Sequence, residues 1–99
     1  MKVDYSARIA QVASSLAVTQ HEVIFITPGA DLRYLTGYDA LPLERLTCLA
    51  VRSDGRSWLI VPTLEKPSAL AHGVPELGIE LLDWQETQNA YQILLAQVG

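Results

Sequence analysis

The apolar positions at the start of the chain recur with a helical period. Tyr5, Ile9, Val12, Ala13 and Leu16 fall at i, i+4, i+7, i+8 and i+11, one stripe of an amphipathic helix. Asp4 or Ser6 is placed to cap its start, and Thr19-Gln20-His21 reads as its exit. Val23-Ile24-Phe25-Ile26-Thr27 follows, a continuous apolar run rich in β-branched residues, the pattern of a strand covered on both faces. Pro28-Gly29 ends it. Residues 30–37 spell one or two helical turns, with Asp31 near the cap and Gly37 at a left-handed exit.

Residues 38–44 then read as a loop carrying many apolar groups. Leu46 to Val51 and Trp58 to Val61 flank Arg52-Ser53-Asp54-Gly55-Arg56, and an Asp-Gly pair between two apolar runs predicts an antiparallel hairpin. Residues 63–71 predict a short helix with Pro67 in its first turn and His72-Gly73 at its end. Ile79 to Trp84 predicts a further strand. Thr87 or Asn89 caps the last helix, whose stripe is Tyr91, Leu94, Leu95 and Val98. The order is α, β, α, β, β, α, β, α, which implies a single three-layer α/β domain over residues 1–99, with a mixed sheet of about four or five strands between helices. No internal repeat, low-complexity tract or linker interrupts it. An α/β unit that ends on a helix usually returns to another strand, so the chain reads as cut at an element boundary after Gly99.

Composition narrows the function classes. Apolar residues make up 49% and charged residues 18% of the 99, and mean hydropathy is +0.19, which is globular rather than disordered. The longest apolar runs are four residues, such as Val23 to Ile26, against the roughly 20 that a membrane helix needs. Eleven acids against seven bases give a net charge of −4. Arg8, Arg33, Arg45, Arg52 and Arg56 are scattered and Lys2 and Lys66 stand apart, which argues against nucleic-acid binding. The lone Cys48 lies in an apolar run and reads as a small buried hydrophobe. Met1-Lys2-Val3-Asp4 shows no secretory pattern, so a reducing cytoplasm is the expected compartment.

Candidate chemistry is sparse. His21 and His72 each fall at a predicted helix end, and neither has further ligands at metal-binding spacing. Ser14-Ser15 lies within the first helix, outside any nucleophile elbow. Glu44 and Glu65 are not brought together by any local pattern, and Thr27-Pro28-Gly29-Ala30 is not a phosphate loop. The residues spell no catalytic apparatus and no cofactor site. What stands out is Arg33 to Leu46, which gathers Tyr34, Leu35, Tyr38, Leu41, Pro42, Leu43 and Leu46 within fourteen residues. Either it covers the edge of the core, or it forms an aromatic-tipped surface for a partner. Trp58, Trp84 and His72 read as core or rim.

Taken together, several segments resemble a known family. They are the helix carrying Arg8-Ile9, the run from Val23 to Gly29, Asp31-Leu32-Arg33-Tyr34-Leu35-Thr36-Gly37-Tyr38, and Ile60-Val61-Pro62 with Glu65. In this order they are similar to the amino-terminal domain of the creatinase/prolidase family, above all the Xaa-Pro aminopeptidases and dipeptidases. Tyr34-Leu35-Thr36-Gly37-Tyr38 is the most specific part. Asp31 stands where the family often has Asn, a mild change between two capping residues.

The resemblance implies a mixed sheet with a ribonuclease H-like motif, closed by a strand that this chain lacks. In the family the domain precedes a pita-bread catalytic domain with two divalent metals, often manganese or cobalt, held by Asp, Asp, His, Glu and Glu. None of those ligand motifs occurs here. The resemblance further implies partnership with that catalytic domain and a second subunit, and a rim around the neighbouring active site that limits the length of proline-containing peptides. Tyr34, Tyr38, Asp39, Leu41, Pro42 and Leu43 are the rim or interface candidates by position. Two alternatives stay open: a free-standing binding module of the same fold, and the amino-terminal domain of a creatinase-like amidinohydrolase.

Overall fold

The computed structural model describes residues 4–38 and 46–99. Helix α1 spans Tyr5–Val18 and begins where the Asp4 carboxylate accepts from the Ala7 N–H at 3.0 Å. The chain then runs through β1 (Val23–Ile26), α2 (Ala30–Thr36), β2 (Cys48–Arg52) and β3 (Ser57–Pro62). A 3-10 turn, Thr63–Glu65, leads into α3 (Lys66–Ala71), and a second, Pro75–Leu77, leads into β4 (Glu80–Trp84). Helix α4 (Ala90–Val98) is capped by the Asn89 side chain rather than Thr87. The predicted helix over 63–71 is therefore split. Pro67 has no N–H for the Thr63 carbonyl, and the first turn closes instead with the shorter Lys66-to-Thr63 bond.

The sheet order is β1-β2-β3-β4. β2 is antiparallel to both its neighbours and β4 is parallel to β3. The hairpin turn is as the Asp-Gly pair predicts: Gly55 takes φ +95° and the Asp54 carboxylate accepts from the Arg56 N–H. Alternation along β2 and β3 divides the core in two. Leu49, Val51, Leu59 and Val61 face α1, α2 and α3, joining Ile9, Leu16, Leu32, Leu35 and Ala69. Cys48, Ala50, Trp58 and Ile60 face α4, joining Ala90, Leu94 and Val98. The result is the expected three-layer sandwich.

Strand β1 departs from the sequence reading. Its apolar run predicts cover on both faces, yet Ile24 is 39% exposed and Phe25 44% exposed. The reason is position: among the described residues β1 is an edge strand, and α4 packs over β3 and β4. The same geometry leaves Tyr91 and Leu95, half of the predicted α4 stripe, facing outward.

Candidate functional site

Strands β1, β3 and β4 run in one direction, so their carboxyl-terminal ends share an edge of the sheet. In open α/β sheets that edge is where ligands are met. Here it carries residues 27–29, 63–65 and 85–89, together with Tyr38 and Leu46, the described residues that flank 39–45. Those two lie on opposite sides of the sheet. Tyr38 belongs to the α1 side of the core, while Leu46 packs on the α4 side.

The Tyr-Leu-Thr-Gly-Tyr segment is built by local chemistry. Thr36 donates to the Leu32 carbonyl at 2.8 Å and accepts from the Tyr38 N–H at 3.0 Å, turning the chain at the end of α2. Gly37 makes that turn at φ +74°, a left-handed C-cap. A Cβ at Gly37 would also sit 2.8 Å from the Tyr5 ring, so both conformation and space require glycine.

The two tyrosines then have different fates. Tyr34 is 56% exposed, with the Arg8 guanidinium 3.9 Å from its ring centre. Tyr38 is 3% exposed. Its ring lies 5.3 Å from that of His72, which donates through Nδ1 to the Ser68 carbonyl at 2.8 Å. Burial pushes the Tyr38 phenol up from its ordinary pKa, a hydrogen bond with Ser68 pulls it back in part, and the Glu65 charge adds to the rise. Tyr38 is thus an internal anchor at this end of the molecule, and Tyr34 the exposed aromatic. Asp39, Leu41, Pro42, Leu43 and Glu44 lie outside the described residues.

Other polar groups at this edge serve structure. Thr63 donates to Asp83 at 2.8 Å and Lys66 pairs with the other oxygen of that carboxylate at 3.5 Å, fastening the 3-10 turn to β4. Trp84 donates from Nε1 to the Leu46 carbonyl at 2.9 Å. His21 is exposed and bonded to Thr19. Cys48 is buried, and burial raises its thiol pKa, partly opposed by a backbone hydrogen bond at Ile26. It remains a protonated, core-lining thiol. Among the described residues no group of three or more His, Cys, Asp or Glu converges as a metal site. No helix there is long and apolar enough to cross a membrane.

Two concavities adjoin on the α4 side. An open cleft of about 460 Å³ lies against Trp84 and the start of α4. An apolar groove of about 320 Å³ runs between Phe25, Cys48, Tyr91, Leu94 and Leu95. Leu46 and Tyr91 line both. Periodicity marked Phe25, Tyr91 and Leu95 as apolar but carries no signal that they line an open groove. Nothing local in the sequence joins Arg8 to Tyr34 or His72 to Tyr38.

Comparison with known proteins places this geometry. A probable dipeptidase PepE from Mycobacterium bovis is 34% identical over 95 residues, which are 96% of this chain and 25% of that protein. The crystal structure of dipeptidase PepE from Mycobacterium ulcerans superposes with a TM-score of 0.89 at 33% identity, over 97% of this chain and 26% of that one. A creatinase/prolidase N-terminal domain of an X-Pro dipeptidase from Streptococcus pyogenes shares the fold, with a TM-score of 0.79 over 92% of this chain and 66% of that one. The chain therefore spans about a quarter of the length of the curated relatives it matches. Residues 8–99 match the model of the creatinase/prolidase N-terminal domain, and the chain belongs to that family.

Proposed function

We propose that this chain is the non-catalytic amino-terminal domain of a longer, cytoplasmic Xaa-Pro peptidase of the dipeptidase or aminopeptidase type. The observation that carries the reading is the match of residues 8–99 to a domain which, in the Streptococcus pyogenes relative, is the N-terminal part of an X-Pro dipeptidase. Hydrolysis belongs to the part of the parent beyond this match. There two divalent metals, manganese or cobalt, would supply an activated water. The ligands for them would come from that domain, and residues of this one would take no part in breaking the peptide bond.

The role left to this chain is architectural: it contributes to a dimer or higher assembly and rims the active site of a neighbouring subunit. Two features support this. Tyr34 offers an exposed, cation-stacked ring beside the signature segment. Tyr38 is fixed by Thr36, Ser68 and His72 next to residues 39–43.

The test is made on the native product carrying this sequence. Its intact mass is measured, and hydrolysis of Xaa-Pro dipeptides and longer Xaa-Pro peptides is assayed with and without manganese. A product several times heavier than 10.9 kDa with metal-dependent Xaa-Pro hydrolysis supports the proposal. A product of this mass, or a heavier one inert toward such peptides, overturns it. A Tyr34→Ala or Tyr38→Ala product with unchanged KM and assembly state would remove the rim role.

A further inference from the structure

Among the described cations, Arg33 alone has a head group without a partner. Arg52 pairs with Asp54 and donates to the Val98 carbonyl, and Lys66 pairs with Asp83. Arg56 lies 4.9 Å from the centre of the Trp58 ring. The guanidinium of Arg33 is exposed on α2, and among the described residues no carboxylate, carbonyl or ring meets it.

Arg33 shares an open cleft of about 490 Å³ with Tyr5, Arg8, Ala30, Asp31 and Tyr34. The cleft lies where α1 and α2 begin, next to residues 27–29 of the carboxyl-terminal edge of the sheet. Its second guanidinium is already fixed in place. Arg8 donates from Nη1 to the Tyr34 carbonyl at 2.7 Å, with the Tyr34 ring centre at 3.9 Å and the Tyr5 ring centre at 5.5 Å. Its Nη2 and Nε remain free among the described residues. A head group held in this way loses little further freedom when it binds a ligand. Asp31 lines the same cleft but is in salt-bridge range of neither guanidinium.

This set of groups selects a ligand chemistry. Two guanidiniums against one carboxylate leave one positive charge in excess, on a chain whose net charge is −4. One excess charge suits a monoanion, and a doubly charged phosphate would be opposed by Asp31. A guanidinium fork gives a carboxylate two parallel N–H bonds. Asp31 is an acceptor for an amide N–H of the same ligand. The Tyr34 ring, 56% exposed, offers cover for its carbon body. Carboxylate, amide N–H and a short carbon body within one small volume describe a peptide.

We propose that this cleft binds a peptide carboxylate, with Arg33 as its principal contact, Arg8 as a second donor and Tyr34 against the carbon body. The proposal does not rest on the peptidase reading. A product that hydrolyses nothing yet binds the carboxylate leaves it standing.

The test follows the Nε–Hε resonances of Arg8 and Arg33 in the native product, isotope-labelled at its arginines. The added peptides contain no proline, so that Xaa-Pro hydrolysis does not enter. N-acetyl-trialanine should shift both resonances to saturation, and its C-terminal amide should leave them in place. N-acetyl-Ala-Glu-Ala amide separates the two sources of the carboxylate: an equal response assigns a side chain as well, and no response assigns the chain terminus alone. Arg33→Gln removes no internal contact, so the fold persists, and it should weaken binding about 10-fold. Asp31→Asn should tighten it about threefold. No saturable shift with N-acetyl-trialanine, or equal shifts with its amide, overturns the proposal. So does unchanged affinity in Arg33→Gln, or inorganic phosphate binding more tightly than N-acetyl-trialanine to the unsubstituted protein.

Discussion

The Arg8 guanidinium stacks 3.9 Å from the centre of the Tyr34 ring and donates from Nη1 to the Tyr34 carbonyl at 2.7 Å. One side chain of α1 thereby holds both the ring and the backbone of α2, next to the signature turn. The planar, always-charged head of arginine suits this double task in a way lysine does not.

Replacing Arg8 by Met keeps the aliphatic stem and removes both interactions. An exposed cation–π contact of about 0.5–1 kcal/mol and a hydrogen bond of about 1 kcal/mol give an expected loss of about 1–2 kcal/mol in urea unfolding. Arg8→Lys should recover less than half of it. A double-mutant cycle with Tyr34→Leu should show coupling of at least about 0.5 kcal/mol; additivity would mean the stack contributes nothing.

Gly37→Ala meets two obstacles at once. A left-handed non-glycine residue costs about 1–2 kcal/mol, and the new methyl sits 2.8 Å from the Tyr5 ring. The expected result is destabilisation of at least that size, with displaced Tyr5 ring resonances in NMR. In a Tyr5→Ala background the penalty should shrink toward the backbone cost alone.

How much of this was legible follows from the range of each interaction. The Gly37 exit and the Asp54-Gly55 turn are decided within a few residues, and the sequence displays them; it narrows each cap to two candidates, of which Asp4 and Asn89 make the bonds. The edge position of β1 depends instead on the order of strands that are remote in sequence. Periodicity told that Phe25, Tyr91 and Leu95 are apolar, but not that α4 packs over β3 and β4 and leaves them open. Tyr38 read as one of a set of rim candidates. Its burial is arranged by Ser68 and His72, which no local pattern connects to it.

Stability should fall in alkali in two steps. Burial raises both the Cys48 thiol and the Tyr38 phenol above their ordinary values of 9.0 and 10.0. The folded state therefore holds these protons after the unfolded chain has released them. Their contribution is complete below about pH 9 and is lost as pH climbs through the raised folded values. Urea midpoints should be flat with respect to these groups at neutral pH and drop above pH 9. Cys48→Ala should remove the earlier part of the drop and Tyr38→Phe the later. An alkaline profile unchanged in both variants would show that neither group is shifted.

The two tryptophans should respond differently to conservative change. Trp58 is 1% exposed and its indole N–H has no hydrogen-bond partner among the described residues, an unmet donor that costs about 1–3 kcal/mol. Trp58→Phe removes that donor as well as part of the ring, so the net change should lie within about 1 kcal/mol. Trp58→Ala should cost about 3–5 kcal/mol. Trp84→Phe breaks the 2.9 Å bond to the Leu46 carbonyl with no such compensation, and should cost more than Trp58→Phe in the same denaturation assay.

The meander β1-β2-β3 pairs sequence neighbours, whereas α4 reaches the sheet across a long stretch of chain: Val98 meets Arg52, and Leu94 meets the β2 and β3 face. Long-range closures form late, because the entropy of closing a large loop is lost before the contact repays it. Docking of α4 on the β2 and β3 face is therefore expected after the β1-β2-β3 meander has formed, and its release before the meander opens. Truncating Leu94 should then hasten unfolding while sparing the folding rate, a ratio that stopped-flow kinetics reads directly. On that ordering, how long the Trp58 face of the sheet stays covered depends on how long one short helix stays down.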